Sequence, residues 1–427
     1  MKLIIYIIPV ILVARSVLAS TGNHLVNSGI SAGVELAQAI ADKNFENTMG
    51  KLLTKVSPYL GMVGPIVGLL SGLTGIGAET AELRYMRRML STIENRFDRI
   101  DVRLDEIARQ IDWSRTRTQL YPYERRILSL KIELQRFFNS KTNVEFSFYN
   151  ESFVRAYENG IQHSTRLLYN HIVSSNFVFS DNILEAAIEG TNNDRRAVQE
   201  FMLGLTRLIL LGSQIEMAYY KLKLPDSLRS LKQEWVNKIQ NMRRAMKRAD
   251  AEIVSKFRTV SANDAKNIIR NNKGSANWVV ADLIHDHLSD KFYWRTWLVV
   301  VYDDVRGNDD HQISYCGGYH VFRFNGYNFM IVSKSKTSDG ISFYLADIIL
   351  GTPDVCTYIQ YGGFWGGGRV RSCNGAKTVL SSIDHNVDCV NFSALAVIKQ
   401  SANPAVEADY DHYRSTDEYP FKLIIFG

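Results

Sequence analysis

Apolar residues recur at alternating steps of three and four along residues 83–111, and charged residues fill most of the positions between them. This spacing places the apolar side chains on one stripe of an α-helix, so it predicts a long amphipathic helix of four heptads. The stripe consists of Leu83, Met86, Leu90, Ile93, Phe97, Ile100, Leu104, Ile107 and Ile111. Either other helices of the same chain or a second copy must cover it. We favour a bundle within one chain, because the stripe lacks the regular pairing of β-branched residues with leucine that is typical of parallel dimers.

Helical periodicity dominates the first part of the chain, and short β-rich runs dominate the last part. Further helices are predicted in residues 127–137, 153–172, 195–221 and 227–257, and strands in residues 297–302, 319–324, 328–333, 342–350 and 356–361. Pro122 predicts a break between the first two helices, which would then form a helical hairpin. The sequence predicts an α+β fold, with an N-terminal multi-helix bundle of long amphipathic helices and a C-terminal, disulfide-bearing antiparallel β domain.

This pattern divides the chain into four predicted regions. They are a signal peptide in residues 1–19, a helical bundle in residues 20–260 that contains an apolar segment at 56–78, a linker with a short helix in residues 261–292, and a β-rich domain in residues 293–427.

Residues 1–19 have the layout of a cleavable signal peptide. A basic start precedes the mostly apolar residues 3–14, and the segment ends on the small residue Ala19. Pro9 and Arg15 leave an uninterrupted apolar stretch much shorter than the roughly 20 residues that a membrane anchor needs. We expect cleavage after Ala19 and a secreted, extracellular protein, with an uncleaved signal anchor as the alternative.

The charge of the mature chain argues against a nucleic-acid partner. Removal of residues 1–19 takes away two basic residues and lowers the formal charge from +6 to +4, which is too diffuse for a nucleic-acid footprint. Asn150 and Asn391 open Asn-x-Ser tripeptides, so both are predicted N-glycosylation sites of an exported glycoprotein.

The last third of the chain holds all four cysteines: Cys316, Cys356, Cys373 and Cys389. An even number confined to one region of an exported protein predicts two disulfides within one domain. Three connectivities are allowed. We favour a bond from Cys356 to Cys373, because these two flank a glycine-rich hairpin tip, which leaves Cys316 for Cys389.

Residues 56–78 form an uncharged segment of 23 residues that is rich in glycine. As a straight helix it would reach about 34 Å, enough to cross a bilayer core. Its glycines and Pro65 weaken such a helix in water, which favours burial of two short apolar arms inside the bundle. The segment therefore supplies the candidates for membrane insertion: Gly61, Gly64, Pro65, Gly68, Leu69, Leu70, Gly72 and Leu73. Permanent burial, conditional entry into a membrane and a constitutive transmembrane span remain as alternatives.

Motifs of catalysis and cofactor binding are missing from the sequence, which holds no HExxH, GxSxG or P-loop pattern. We therefore predict a protein that is not an enzyme and that has no cofactor and no metal site. Phe364 and Trp365 lie at the glycine-rich tip and are candidates for contact with a ligand or a membrane, although a simple hairpin tip explains them as well.

Two blocks of sequence resemble the rapunzel-like family of animal proteins. The first comprises the apolar segment, a heptad stripe that closes on Ile111-Asp112-Trp113, and Tyr123-Glu124-Arg125-Arg126. The second comprises residues 297–303, residues 318–323 and Asn325-Gly326-Tyr327. The overall plan is also similar, more distantly, to the box-jellyfish pore-forming toxins, whose helical domain is compared with that of pore-forming insecticidal toxins. This resemblance implies membrane disruption and assigns no catalytic residue.

The sequence leads to one functional hypothesis and one alternative. In the first, a secreted protein similar to pore-forming toxins inserts the stored segment into lipid and forms homo-oligomers on the membrane, while the β domain recognises a cell surface. In the alternative, the protein is a non-lytic extracellular interaction protein that binds a glycan or a protein partner.

We predict that Phe97, in the middle of the heptad stripe, is a core residue of a monomeric bundle. Phe97→Ala should lower the free energy of unfolding by about 3 to 5 kcal/mol and reduce secretion without changing the oligomeric state. Size-exclusion chromatography with light scattering checks this prediction. A wild-type dimer that Phe97→Ala converts into a folded monomer would instead assign the stripe to an interface between two copies.

Overall fold

The computed structural model describes residues 31–32, 35, 45–61, 114–159, 163–174, 182–316, 319–351, 353–361, 368–384 and 392–427. The predicted signal peptide, the heptad stripe and most of the apolar segment lie outside these residues. The chain divides into two compact units, Met1–Ile253 and Val254–Gly427. The boundary between the units therefore falls before residue 260, where the predicted helical bundle ends.

The first unit is helical throughout its described part. Its helices are α1 (Phe45–Gly61), α2 (Ser114–Phe138), α3 (Asn143–Glu158), α4 (Ser164–Val173), α5 (Ile183–Gly190), α6 (Arg195–Lys223) and the start of α7 (Leu228–Asn271). Local signals fix several of the helix starts. The Thr142 hydroxyl accepts from the Glu145 amide at 3.2 Å, and the Asp194 carboxylate accepts from the Ala197 amide at 3.0 Å.

The core of this unit is built around α6, which is apolar on nearly all sides. A helix of this kind is stable in water only when other helices surround it. Its buried side chains run from Ala197 to Ala218 and pack with apolar residues of α1, α2, α3, α4, α5 and α7. Trp235 of α7 and Phe153 of α3 are among the large side chains that are completely buried here.

Two details of the helical unit correct the sequence analysis. Pro122 does not break the chain into a hairpin, because α2 continues through it from Ser114 to Phe138. The helix tolerates the proline at the cost of one backbone hydrogen bond. The single helix predicted for residues 153–172 is divided instead between α3, which ends at Glu158, and α4, which begins at Ser164.

The second unit contains the rest of α7 and both described four-stranded sheets. Its further helices are α8 (Asn277–Lys291), α9 (Phe343–Gly351) and α10 (Ala376–Asp384). Its strands are β1 (Arg295–Asp303), β2 (His311–Tyr315), β3 (Tyr319–Phe324), β4 (Tyr327–Ser335), β5 (Cys356–Tyr361), β6 (Gly368–Cys373), β7 (Ala394–Lys399), β8 (Ala405–Ala408), β9 (Tyr413–Glu418) and β10 (Phe421–Phe426). The strand orders are β3-β4-β1-β8, β2-β7-β10-β9 and β5-β6, and every pair is antiparallel.

The two larger sheets pack face to face and form a four-layer arrangement with helices on both outer faces. Leu298 and Val300 of β1 face Ala396 and Ile424 of the second sheet across a shared core. The alternate residues of β1, such as Val299, pack on α8 and the end of α7. A third core joins the outer face of the second sheet to α9 and α10. The α+β fold class predicted from the sequence is thus confirmed.

Residues 261–292, predicted as a linker with a short helix, are mainly helical and pack within the second unit. Residues up to Asn271 continue α7, and α8 packs directly on β1. Ala265, Ile269 and Ile284 are completely buried there, so this region of polar composition belongs to a folded core.

The strand predicted for residues 342–350 is wrong, because these residues form α9. Apolar residues at helical spacing, Ala346, Ile349 and Leu350, bury one face of it.

The predicted bond between Cys356 and Cys373 is present and joins paired positions at the base of the β5–β6 hairpin. Cys316 is also disulfide-bonded. Cys389, which we paired with it from the sequence, lies outside the described residues.

Asp264 ties α7 to α8 through two side chains on the neighbouring helix. Its carboxylate lies 2.7 Å from Lys291 Nζ and 3.2 Å from His287 Nε2, and it is almost completely buried. Burial acts to raise the pKa of Asp264, but the hydrogen bonds from His287 and Lys291 and their charges outweigh it, so the pKa lies below its usual value of 3.8.

We predict that Asp264→Asn lowers stability at pH 7 by about 1 to 3 kcal/mol, because Lys291 loses a charged partner. The lowered pKa means that the stabilisation is present above pH 3.8 and is lost as the pH falls through the lower pKa of the folded state. Calorimetry between pH 7 and pH 2 should therefore show less acid destabilisation in the variant than in the wild type. Asp282→Asn, which changes an exposed residue of α8, is the control and should leave the melting profile unchanged. Equal acid sensitivity in all three proteins would contradict the role assigned to Asp264.

Candidate functional site

The structure describes residues 56–61, the first part of the apolar segment, and three of these side chains are buried in the core of the helical unit. Val56, Tyr59 and Leu60, in the last turns of α1, are buried against the rest of the core. The Gln214 side-chain amide of α6 donates to the Tyr59 carbonyl oxygen at 3.3 Å. This contact links α6 directly to α1.

A half-buried lysine lies where the apolar segment leaves α1. A Cβ atom at Gly61 would come within 3.0 Å of the Nζ atom of Lys232, which belongs to α7. Burial lowers the pKa of Lys232. Gly61 permits this close approach because it has no side chain.

Within the described part of the chain, one helix is long and apolar enough to cross a membrane, and it is α6. In this structure 94% of its most apolar stretch is buried, and α6 is the central helix of the helical core. The same helix carries Glu216, a carboxylate that is only 2% exposed. Burial of a carboxylate without a partner would be costly, so the contacts of Glu216 decide whether α6 can occupy this position.

Arg166 of α4 neutralises Glu216 and links α6 to α7. Its guanidinium donates to Glu216 Oε1 at 2.6 Å through Nη2 and to Glu234 Oε1 at 2.5 Å through Nη1. The indole Nε1 of Trp235 donates to the second oxygen of Glu216 at 3.1 Å. Lys238 adds a contact of 3.5 Å to Glu234. We call these five residues the Arg166 cluster.

The two carboxylates of the Arg166 cluster have opposite pKa shifts. Burial raises the pKa of Glu216, and this effect exceeds the lowering by Arg166 and Trp235. Glu234 is less buried, so the hydrogen bonds and charges of Arg166 and Lys238 outweigh the effect of burial and lower its pKa. The cluster therefore holds a charged pair in the core only while Arg166 is present.

Aromatic rings lie beside the Arg166 cluster. Lys238 Nζ lies 4.5 Å from the ring centroid of Tyr169, and Tyr157 stacks on Tyr219 with centroids 4.2 Å apart. The Tyr219 hydroxyl donates to Glu158 at 2.8 Å. These contacts join α3, α4, α6 and α7 around the point where Arg166 enters the core.

The second candidate region is the hairpin formed by β5 and β6, which we call the 356–373 hairpin. It is a separate two-stranded sheet, and every residue of β6 is exposed. Ile359 and Val370 are directly opposite each other and are both exposed, so they form a small apolar surface on one face.

The other face of the 356–373 hairpin combines an aromatic side chain with basic ones. Tyr358 is paired with Arg371, and Gln360 is paired with Arg369. Arg371 donates to the Tyr419 carbonyl at 3.0 Å, which fixes the base of the hairpin to the adjacent loop. Exposed tyrosine beside arginine is a composition that suits the boundary between lipid and water.

Most of the membrane-insertion candidates lie outside the described residues. Gly61 is described, at the end of α1, whereas Gly64, Pro65, Gly68, Leu69, Leu70, Gly72 and Leu73 are not. Phe364 and Trp365 belong to residues 362–367 between β5 and β6, which are likewise outside. The structure therefore describes the start of the apolar segment, residues 56–61, and the two strands of the 356–373 hairpin that precede and follow Phe364 and Trp365.

The two predicted glycosylation sites also differ in how far they are described. Asn391 lies outside the described residues. Asn150 is in the middle of α3, half-buried, and its side-chain oxygen is buried without a hydrogen bond. This setting differs from the surface loop that is usual for an N-glycosylation site.

The side chains of His311 and His287 contact different protein groups. His311 Nδ1 lies 2.6 Å from the Tyr302 hydroxyl, and His287 bonds Asp264. Among the described residues, no group of three or more His, Cys, Asp or Glu side chains could hold a metal ion.

Sequence reasoning missed the Arg166 cluster. One signal was present, since Glu216 is the only acidic residue in the long apolar part of α6, between Arg207 and Lys221. An isolated carboxylate in an apolar helix indicates a buried partner. The identity of that partner could not be read from the sequence, because Arg166 is 50 residues away.

Comparison with protein families matched residues 77–275 to the cephalotoxin-like middle helical domain. The matched region begins at the end of the apolar segment and includes α2 to α7. The described helical region is therefore similar to a domain of a toxin-like family, which supports the predicted likeness to cnidarian toxins in this coarse sense. Comparison with curated proteins and with solved structures gave no match. The resemblance to the rapunzel-like family stays a prediction.

We predict that Arg166→Met lowers the free energy of unfolding by about 3 kcal/mol at pH 7, because it leaves Glu216 buried without a counter-charge. The penalty should decrease as the pH falls, since the raised pKa of Glu216 allows the unpaired carboxylate to take up a proton. Urea unfolding at several pH values measures both effects. Arg155→Met is the matched control, because it breaks an exposed pair with Glu151 and should cost less than about 0.5 kcal/mol. Equal losses in the two variants would contradict the role of the cluster.

Proposed function

We propose that the protein is a secreted, membrane-interacting protein similar to pore-forming toxins. Its helical unit stores residues 56–78 while the protein is soluble and releases them into lipid at a target membrane. The 356–373 hairpin makes the first contact with that surface, and several copies then assemble on the membrane. The burial of Val56, Tyr59 and Leu60 in the helical core is the observation that carries this proposal.

Storage requires that the apolar segment have a place in the folded protein. The end of α1 occupies such a place, because it packs into a core organised by α6. Full burial of a large aromatic or aliphatic side chain contributes roughly 1.5 to 3 kcal/mol, so the first turn of the segment is already held firmly. The match of residues 77–275 to the cephalotoxin-like middle helical domain supports the same class of function.

Release requires that the stored state and the lipid-inserted state differ by only a few kcal/mol in free energy. The glycines of the apolar segment reduce its stability as a helix in water, which keeps this difference small. Lys232, half-buried beside Gly61, is a further source of destabilisation at the point where the segment leaves α1. The Arg166 cluster acts in the opposite direction, since it holds α6 in the core against which α1 packs.

The 356–373 hairpin suits the contact step. Arg369 and Arg371 supply positive charge, and Ile359 with Val370 supplies an exposed apolar pair. Basic residues are attracted to anionic headgroups, whereas apolar and aromatic side chains enter the interface. Phe364 and Trp365 follow the described stem in sequence and would add two large aromatic rings at the tip.

A second candidate is the non-lytic extracellular interaction protein. The exposed Ile359–Val370 pair favours it, because a ribbon with a small apolar face also suits a protein partner. The two candidates differ in one property, since only the first requires residues 56–78 to enter lipid.

Dye release from liposomes tests the proposal. We expect the wild-type protein at micromolar concentration to empty vesicles of phosphatidylcholine and phosphatidylserine, and Leu69→Lys to reduce the release at least tenfold while secretion continues. A charge at the centre of an inserted segment costs about 2.5 to 3.5 kcal/mol. Val144→Lys is the matched control, because it introduces the same charge at a residue of α3 that is 80% exposed. It should leave the release unchanged.

Two outcomes would overturn the lytic function. One is the absence of leakage from anionic vesicles, neutral vesicles and cultured cells when circular dichroism shows a folded protein. The other is a failure of Leu69→Lys to be secreted while Val144→Lys is secreted normally, since this result means that Leu69 is permanently buried.

A further inference from the structure

The second unit contains an open cavity of about 780 Å³ that belongs neither to the apolar segment nor to the hairpin. This volume lies within the range of about 300 to 1,000 Å³ that is typical of sites for small ligands. Three connections form it: the turn between α7 and α8, the turn between β3 and β4, and the loop before β8. Its lining residues are Lys273, Gly274, Ser275, Ala276, Asn277, Trp278, Asp303, Asn325, Gly326, Tyr327, Asn403, Pro404 and Ala405.

Asp303 organises a set of side-chain amides in this cavity. Asn277 Nδ2 donates to Asp303 Oδ1 at 2.8 Å and to the Asn403 carbonyl at 2.9 Å. Asn403 Nδ2 donates to Asp303 Oδ2 at 2.7 Å. Both N–H groups of Asn277 and one of Asn403 are thus bound within the protein, and the two side-chain oxygens remain as acceptors whose positions are fixed by Asp303.

Backbone geometry makes the same cavity rigid. Asn325 and Gly326 have φ angles of 51° and 90°, which is the two-residue hairpin turn that Asn-Gly favours. Asn403 has a φ of 49°. The Tyr327 hydroxyl donates to the Ser275 carbonyl at 2.7 Å and so joins two of the three connections. A cavity held in this way is formed before any ligand binds, which reduces the entropy lost on binding.

Trp278 presents a large aromatic ring to solvent beside these polar groups. It is 65% exposed, although the same helix buries Val280, Ala281 and Ile284 completely. Trp278 thus lies at the cavity and not on the buried face of α8. The face of an indole is negative and apolar, so it stacks on a flat surface of C–H groups.

The charges that line the cavity balance each other. Lys273 and Asp303 are its charged lining residues, so the cavity does not select strongly for an anion or a cation. An aromatic platform requires an apolar face in the ligand, whereas fixed carboxylate and amide oxygens require hydroxyl donors. A pyranose ring carries both, with C–H groups on one face and hydroxyls around its edge.

We propose that this cavity is a saccharide-binding site, in which Trp278 stacks on a sugar ring and Asp303, Asn277 and Asn403 accept hydrogen bonds from its hydroxyls. The assignment of the sugar as part of a cell-surface glycan rests on the proposed function, but saccharide binding itself does not require a membrane. The site would provide recognition by the second unit, independently of the lipid-inserting segment.

Saturation-transfer NMR on the full-length secreted protein tests this inference. The probes are the methyl glycosides of glucose, galactose, mannose, fucose, N-acetylglucosamine and sialic acid, together with lactose, each at 10 mM. We expect at least one of them to bind, and Trp278→Ala to weaken its binding at least tenfold. Trp278→Tyr should keep part of the affinity, because it retains an aromatic face. Tyr410→Ala is the matched control, since it removes another highly exposed aromatic residue of the same unit that does not line the cavity.

Two results would overturn the proposal: no binding by any probe to protein whose fold is verified by circular dichroism, or binding that Trp278→Ala and Tyr410→Ala affect equally. Asp303→Asn supplies a second test, because it keeps the volume but removes the charged acceptor, and it should weaken binding at least fivefold. Dye release from sugar-free vesicles should be unchanged in Trp278→Ala. A failure of saccharide binding is therefore distinguishable from a failure of the lytic function.

Discussion

Arg166 supplies the positive charge on which the packing of the helical unit depends. The core helix α6 places Glu216 in the buried core, and Arg166 neutralises it while also binding Glu234 of α7. A buried ion pair adds little net stability compared with apolar packing, but the loss of one partner is expensive. The pair therefore fixes how α4, α6 and α7 meet, and α1 packs into the core that results.

The β unit depends on a different constraint, which is the burial of β1 on both faces. Leu298 and Val300 lie between the two large sheets, and Val299 lies under α8. A strand with two buried faces needs a layer on each side, so α8 and the end of α7 are structural parts of this unit. The same packing positions the start of α8, where Asn277 and Trp278 line the cavity.

The proposed activities occupy separate parts of the chain and make different demands on stability. Release of the apolar segment needs a helical unit that can open at moderate cost, which agrees with a half-buried Lys232 beside Gly61. Recognition needs a rigid surface, and the cavity around Asp303 is fixed by hydrogen bonds from three connections. The division into two compact units allows both demands to be met in one protein.

The sequence by itself determined the fold class and the apolar character of the segment that begins in α1, and it favoured the bond between Cys356 and Cys373 among three possible connectivities. These features depend on local periodicity or on residues that flank a turn, so they can be read along the chain. Tertiary structure alone decided that residues 342–350 are helical and that α7 continues past residue 260, because packing against the sheets selects the periodicity that buries Ala346 and Ala265. It also decided which polar side chains meet. Arg166 bonds Glu216, which is 50 residues away in the sequence, and Asn403 bonds Asp303, which is 100 residues away. Contacts between such distant residues follow from the fold and cannot be read from the local sequence.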